Sequence, residues 1–249
     1  MPTTWTTPTG ATYDLFSDML RQPHLLIAGA TGSGKSVLEN GLITTALYRS
    51  PASVNFIMLD PKQVELLKYK DLPHVIRYET KPDRMIDALQ AALDLSNARY
   101  REMAKKRETR YTGGPEVYVV IDELSFFMTV AKKQALPILQ QLGMISRASG
   151  IHLLACTQSV KADILPTTLT CNFDSRAALR TSTAQQSRMI IDRAGCELFP
   201  SPVTTGRAQC FYRTGADLKL WNIPYIQPAE TDRLITWWMD KSHRSRSWF

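Results

Sequence analysis

Pro23-His24-Leu25-Leu26-Ile27-Ala28-Gly29-Ala30-Thr31-Gly32-Ser33-Gly34-Lys35-Ser36 runs from an apolar stretch through a glycine-rich turn into a helical pattern. Gly29 to Ser36 fits the phosphate-binding loop (P-loop) pattern in full, with a predicted strand before it (Leu25 to Ala28) and a predicted helix after it (Ser36 to Arg49). Glycines at Gly29, Gly32 and Gly34, with Ala30, Thr31 and Ser33 between them, let successive backbone N–H groups turn toward phosphate oxygens. The helix N-terminus that follows adds a favourable partial charge. Lys35 is placed to reach the β- and γ-phosphates of ATP, and Ser36 to put its hydroxyl on Mg²⁺. A chance glycine-rich turn is the plain alternative, and the flanking strand and helix argue against it.

Working outward, Val117-Tyr118-Val119-Val120-Ile121-Asp122-Glu123 is an apolar strand that delivers two adjacent carboxylates to its end, a Walker B pattern. Asp122 is expected to hold the Mg²⁺ shell and Glu123 to polarise the attacking water as general base. Alone, an Asp-Glu pair on a turn would say little; downstream of a P-loop it completes a nucleotide site.

The rest of the chain alternates short apolar runs with helical patterns, which predicts an α/β fold: a central, mostly parallel sheet with helices on both faces. Strands are expected at Leu25 to Ala28, Val54 to Leu59, Val117 to Ile121, Ile151 to Cys156, Ser175 to Arg180 and Arg207 to Tyr212. Several read as unbroken apolar runs, as strands covered on both faces do. A long helix begins at Pro82, with Ile86, Leu89, Leu93, Tyr100 and Met103 as its apolar stripe, and runs to the breaker Thr112-Gly113-Gly114-Pro115. Further helices are expected at Lys132 to Ser149, Ala184 to Ala194 and Ala229 to Lys241. With 249 residues, 44% of them hydrophobic, the chain can bury one large core. The reading divides it into an N-terminal segment (1–22), a motor domain (23–240) and a basic tail (241–249).

No apolar run approaches the roughly 20 residues a spanning helix needs, and Met1 to Gly10 lacks the features of a secretory signal, so a cytoplasmic protein is expected. Cys156, Cys171, Cys196 and Cys210, like the four histidines, are too scattered for a structural metal site. The net charge of +7 concentrates in two places. Arg99 to Arg110 holds six basic residues against two acidic, and Lys241 to Phe249 holds three against none. A solvated helix face and a frayed tail account for this better than a nucleic-acid surface does on composition alone, so charge does not decide the partner.

The phrase from Pro23 to Val37 resembles the FtsK/SpoIIIE family around its P-loop. So do Ile57 to Lys62, Val64-Glu65-Leu66, Leu72-Pro73-His74, Arg147 to Leu153 and Ala155-Cys156-Thr157-Gln158. The resemblance extends from about Thr12 to Tyr212 and implies a RecA-like P-loop NTPase fold. It further implies a homohexameric ring that couples ATP hydrolysis to movement of double-stranded DNA through its channel. Within that likeness Arg147 matches the arginine that completes a neighbour's site, and Gln158 the residue that senses the γ-phosphate. Ser187-Arg188 matches a family Ser-Arg, which makes Arg188 the leading DNA contact; Arg176 and Arg180 match as well. Gln158 is followed by Ser159-Val160 where the family has Arg-Pro, so Lys161 substitutes or the contact is lost, and Ala184 stands where a lysine is common. The expected chain is a bare motor without membrane helices or a winged-helix reader, suited to plasmid, phage or mobile-element DNA. Two rivals stay open: a protein-export motor of a secretion system, and a nucleotide-binding adaptor that couples DNA to another complex.

Overall fold

The computed structural model describes residues 4–6, 12–14, 24–49, 51–173 and 175–246. Ten strands form one sheet: β1 (Thr4–Thr6), β2 (Thr12–Asp14), β3 (Leu25–Ala28), β4 (Val54–Leu59), β5 (Val75–Glu79), β6 (Glu116–Ile121), β7 (Ile151–Thr157), β8 (Ser175–Ala178), β9 (Ala208–Thr214) and β10 (Asp217–Ile223). Their spatial order is β2-β1-β10-β9-β8-β3-β7-β6-β4-β5. From β8 to β5 every neighbouring pair is parallel, and from β8 back to β2 every pair is antiparallel. The helices are α1 (Lys35–Arg49), α2 (Pro82–Lys106), α3 (Leu124–Ile145), α4 (Thr167–Thr170), α5 (Ala184–Ile191), α6 (Pro202–Thr205) and α7 (Pro228–Arg246).

Successive strand residues feed two separate cores, which is why the strands show no polar alternation. Leu26, Ala28, Ile57, Leu59, Val119 and Ile121 point to a core built with α2, α3 and α5. Leu25, Ile27, Phe56, Met58, Tyr118 and Val120 point to the other face, packed by α1 and flanked by α7. Full burial of one such side chain is worth roughly 1.5–3 kcal/mol, several times any single residue's strand or helix preference.

Packing also explains α3. The expected helix from Lys132 to Ser149 is the second part of a longer one that starts at Leu124 and kinks at Ala131 (φ −134°, ψ 20°). Pro137 sits inside it. An interior proline costs about 3 kcal/mol, and burial of Ala135, Leu139 and Leu142 offsets that. The helix ends at Ile145, where the N–H and hydroxyl of Ser146 both donate to the Leu142 carbonyl, and Gly150 (φ +68°) turns the chain into β7.

Four strands escaped the sequence reading: the short β1 and β2 in the N-terminal segment, β5 and β10. Strand β5 lies at the sheet edge, half-buried, and carries the ion pair Arg77–Glu79 (2.9 Å), so it lacks an apolar run. Strand β10 joins β9 in a hairpin whose register closes at Thr214↔Asp217 around Gly215 (φ +58°), and its lysine and asparagine mask it. Expected boundaries shift elsewhere as well. Helix α2 ends at Lys106, not near Thr112, because Arg107 adopts a left-handed conformation (φ 56°) and the Glu108 N–H returns to the Met103 carbonyl. Helix α7 continues through residue 240 to Arg246. Most of segment 1–22, the side chains of the 241–249 tail and residues 247–249 lie outside the described residues.

Within the basic segment Arg99 is structural, while Arg101, Lys105, Lys106, Arg107 and Arg110 are exposed. Arg99 is buried and donates to the carbonyls of Ser149 (2.8 Å), Gly150 (3.2 Å) and Pro115 (2.7 Å), with its guanidinium over the Tyr111 ring. Lys106 pairs with Glu102 (2.6 Å) and Arg110 with Glu116 (2.5 Å). Arg99 therefore clamps the loop before β7 to the helix before β6. Arg99→Met, which removes its bonds to three carbonyls and leaves only that of Gly150 with another donor, the Val117 N–H, should lower unfolding stability by about 2–4 kcal/mol in a urea titration. Arg101→Ala on the exposed face of the same helix should change it by less than about 0.5 kcal/mol.

Candidate nucleotide site

The P-loop leaves the carboxyl end of β3 between β7 and β8, and the sheet fixes its first residues. Gly29 N–H donates to the Thr157 carbonyl (3.3 Å) and Ala30 N–H to the Arg180 carbonyl (2.8 Å). A Cβ on Gly29 would lie 2.7 Å from Ser33 Oγ and 2.9 Å from Leu179 Cβ, so no larger residue fits. Gly34 has φ +100° and sits where a side chain would meet Ala208 on β9 at 2.7 Å. Lys35 folds back over the loop, its Nζ donating to the carbonyls of Gly29 (2.7 Å) and Ala30 (3.1 Å). Burial holds its pKa below the ordinary lysine value, against the pull of Glu123 and Asp122.

Asp122 and Glu123 arrive at the carboxyl end of β6, two strands away. Asp122 N–H continues the ladder to the Leu59 carbonyl (3.0 Å), and Glu123 then breaks it with φ 63°, a left-handed conformation rare for a glutamate. That turn aims its carboxylate back across the strand ends. Oε1 accepts from the Ser125 hydroxyl (2.5 Å) and the Gln158 N–H (3.0 Å), while Oε2 accepts from Lys62 Nζ (3.1 Å). Burial would raise this carboxyl; the bonds from Ser125, Gln158 and Lys62 outweigh it and hold the pKa below the usual value. Asp122 is the opposite case. Burial, then the nearby Asp60, push it up to about 6, and its Oδ2 is buried without a hydrogen-bond partner.

One cavity of about 480 Å³ gathers these groups, lined by Thr31, Lys35, Ser36, Lys62, Asp122 and Gln158 among others. Ser36 Oγ donates to Glu65 Oε1 (2.7 Å), and Thr31 Oγ1 donates to the Gln158 side-chain carbonyl (3.1 Å). Gln158, just past β7, thus touches both the P-loop and, through its backbone, Glu123. The orphaned Asp122 oxygen beside a serine hydroxyl is a donor set suited to a hard divalent cation such as Mg²⁺.

Sequence reasoning missed four groups here. Lys62 and Glu65 lie on the loop after β4, and buried Asp60 builds that loop by accepting from the N–H groups of Gln63 (2.8 Å) and Leu66 (3.2 Å). The fourth is Glu39, one turn beyond Lys35 on α1, buried and lining the cavity. A lone glutamate on an otherwise apolar helix stripe was the available signal.

Arg147 is elsewhere. It lies exposed in the turn before β7 begins, at the amino edge of the sheet, whereas the P-loop follows the carboxyl edge. Seven strand residues separate the two edges, roughly 20 Å, so Arg147 and the P-loop of one chain do not share a site. Lys161 and Arg188 are both exposed. Their neighbours Val160, Ala162 and Met189 line a second cavity of about 410 Å³, which places both segments at one cleft. Arg176, in contrast, donates to the carbonyls of Thr170 (2.8 Å) and Ile190 (3.1 Å) and ties β8 to α5.

Burial, reinforced by Asp122, raises the Glu39 carboxyl well above the ordinary glutamate value, so the folded chain keeps a proton there that the unfolded chain releases. Stability is therefore lost as pH rises from the unfolded pKa of about 4.3 toward the folded one. Glu39→Gln should match the native chain near pH 4 and melt about 3 °C or more higher near pH 8, in a thermal series across that window.

With the geometry in place, relatives can be compared. DNA translocase FtsK of Lactococcus lactis subsp. cremoris (strain MG1363) is 38% identical over 200 residues, covering 72% of this chain and 26% of its own length. DNA translocase FtsK of Leptospira interrogans is 32% identical over 238 residues, 88% of this chain and 25% of its own length. The chain thus spans about a quarter of the length of these relatives. Among solved structures, the pCW3 conjugation coupling protein TcpA with ATPγS superposes at TM-score 0.78 with 21% identity, over 94% of this chain and 69% of that one. The Thermomonospora curvata type VII secretion ATPase EccC gives 0.77 with 23% identity, over 95% and 30%. Both share the P-loop ATPase fold. The FtsK/SpoIIIE family profile matches residues 12–214, and the chain belongs to that family.

Proposed function

We propose that residues 23–240 are the motor domain of an ATP-dependent double-stranded DNA translocase, acting in the cytoplasm. One observation carries the reading: a single cavity presents Lys35, Ser36, Asp122 and Gln158, with Glu123 fixed behind it by three hydrogen bonds. Lys35 exchanges its loop carbonyls for phosphate oxygens, and the N–H groups of Gly32, Gly34, Lys35 and Ser36, beyond those of Gly29 and Ala30 that the sheet holds, cradle the rest. Ser36 and Asp122 would hold Mg²⁺, which when bound offsets phosphate charge. Glu123 accepts the proton of the attacking water, and Gln158, bonded to Thr31, reports the occupied site to the loop that carries Lys161.

The site is finished in trans. Arg147, at the far edge of the sheet, completes the pocket of the next subunit in a homo-oligomeric ring, stabilising charge on the γ-phosphate. Lys161 and Arg188 contact the phosphate backbone of DNA without reading its sequence. Identity to translocases named FtsK favours DNA as the cargo over an exported polypeptide; plasmid or other mobile-element DNA is the setting we favour. No helix among the described residues is long and apolar enough to cross a membrane.

Duplex DNA should stimulate ATP hydrolysis by the purified chain, with stimulation falling steeply between about 50 and 200 mM salt; no stimulation at low salt would point to export instead. Glu123→Gln should bind ATP and lose hydrolysis by about a hundredfold or more. Arg147→Ala should bind ATP yet hydrolyse poorly, and mixing it with Lys35→Ala subunits should restore part of the activity; failure to complement would make Arg147 structural.

A further inference from the structure

Lys62 stands out because it belongs to neither nucleotide motif. It sits on a loop that Asp60 holds from below through the Gln63 and Leu66 N–H groups, with Gln63 in a left-handed conformation (φ 56°). The Lys62 side chain is 42% exposed and lines the phosphate cavity, while its carboxylate partner Glu123 is only 6% exposed. The two oxygens of Glu123 are held differently. Oε1 is fixed by groups that stay with the fold, the Ser125 hydroxyl and the Gln158 N–H. Oε2 is held by a flexible, solvent-reachable ammonium alone. That is the oxygen a proton from water would have to reach, and while Lys62 occupies it the carboxylate is a neutralised partner rather than a base.

From this asymmetry we infer that Lys62 is a terminal-phosphate contact that trades its ion pair with Glu123 for the γ-phosphate of ATP. The exchange rests on the ATPase reading above. A triphosphate brings a second, stronger anion to Lys62 in the cavity that it lines with the P-loop, whereas a diphosphate held by the same loop lacks that terminal group. Only ATP therefore draws the ammonium away and uncovers Oε2, and once phosphate has left, Lys62 returns. Glu123 does not drift in the meantime, because Oε1 keeps both of its bonds. Lys62 thereby sets discrimination between ATP and ADP and keeps the base covered when no terminal phosphate is present.

Binding alone tests this, without turnover. The affinities of the full chain for ATPγS and ADP, both with Mg²⁺, would be measured by calorimetry for the native chain, Lys62→Met, Lys62→Arg, Glu123→Gln and the Lys62→Met/Glu123→Gln double variant. Lys62→Met should weaken ATPγS about tenfold and ADP less than about twofold. Lys62→Arg should keep the preference. Glu123→Gln, which frees Lys62 in advance, should tighten ATPγS but not ADP, and the gain should vanish in the double variant. Equal weakening of both nucleotides by Lys62→Met, or a Glu123→Gln gain that survives in the double variant, would overturn the exchange and leave the ATPase reading intact. A native chain that binds neither nucleotide would instead sink the ATPase reading, and the exchange with it. Unchanged melting temperatures would confirm that the variants fold.

Discussion

A parallel strand buried on both faces has nowhere to put polar chemistry except at its ends. In β3, β6 and β7 the interior positions are apolar and feed one core or the other, except His152 near the start of β7, which pairs with Glu116. Side chains that touch water or ligand must therefore lie in the turns that follow. The P-loop after β3, Asp122 and Glu123 after β6 and Gln158 after β7 are three such turns on adjacent or next-adjacent parallel strands, so their proximity follows from strand order. The close approach of Gly29 to Leu179 and of Gly34 to Ala208 extends the same logic, since the loop is wedged against β8 and β9 as well. The two sheet cores fix the site before any ligand does.

Charge then shapes what that wedge can do. Five carboxylates surround or adjoin the cavity (Glu39, Asp60, Glu65, Asp122 and Glu123), opposed by Lys35 and Lys62. They are not equivalent. Asp60 is consumed by backbone N–H groups and Glu123 by three donors, whereas Asp122 has an oxygen with no partner and Glu39 is pushed toward its neutral form. Hydrogen bonds from Ser125, Gln158 and Lys62 outweigh burial at Glu123 and hold its pKa down, whereas burial prevails at Asp122 and Glu39 and raises theirs. A pocket so divided favours a cation beside Asp122 and Ser36 and leaves Glu123 ionised, the distribution that metal-assisted phosphoryl transfer requires.

The sequence disclosed what is local and withheld what is assembled. The P-loop, the Walker B strand and the two-faced burial of the strands were legible because each is a contiguous pattern with a period or a fixed spacing. Strand β5 was not, because an edge strand carries charged and polar residues on an open side, and β10 was not, because Asp217, Lys219 and Asn222 interrupt its apolar residues. Lys62, Glu65 and Glu39 were passed over as site residues for a different reason. Nothing in Asp60-Pro61-Lys62 says that it will close on Glu123, which is 61 residues away in sequence. Arg99 misled in the opposite direction: within a run of basic residues it reads as surface, yet it is the residue that three backbone carbonyls require.

The same sheet geometry that gathers the cavity also separates it from Arg147. That arginine precedes β7 while the phosphate groups follow β3, and β3 and β7 run side by side in register, Leu25 against Leu154. No rotamer spans the width of the sheet, so within one chain the arginine and the site are on opposite edges. If Arg147 acts on a γ-phosphate, it acts on a neighbour's, and a second chain becomes a chemical requirement of the reaction. The proposed ring would satisfy that requirement for every subunit at once if each carboxyl edge met the next amino edge. Coupling then has a short path. The turn after β7 begins at Gln158, which holds Thr31 on the P-loop and Glu123 at the base, and within three residues reaches Lys161 at the proposed DNA cleft. A change in what the cavity holds is therefore felt first by a segment whose other end lies at the proposed DNA cleft.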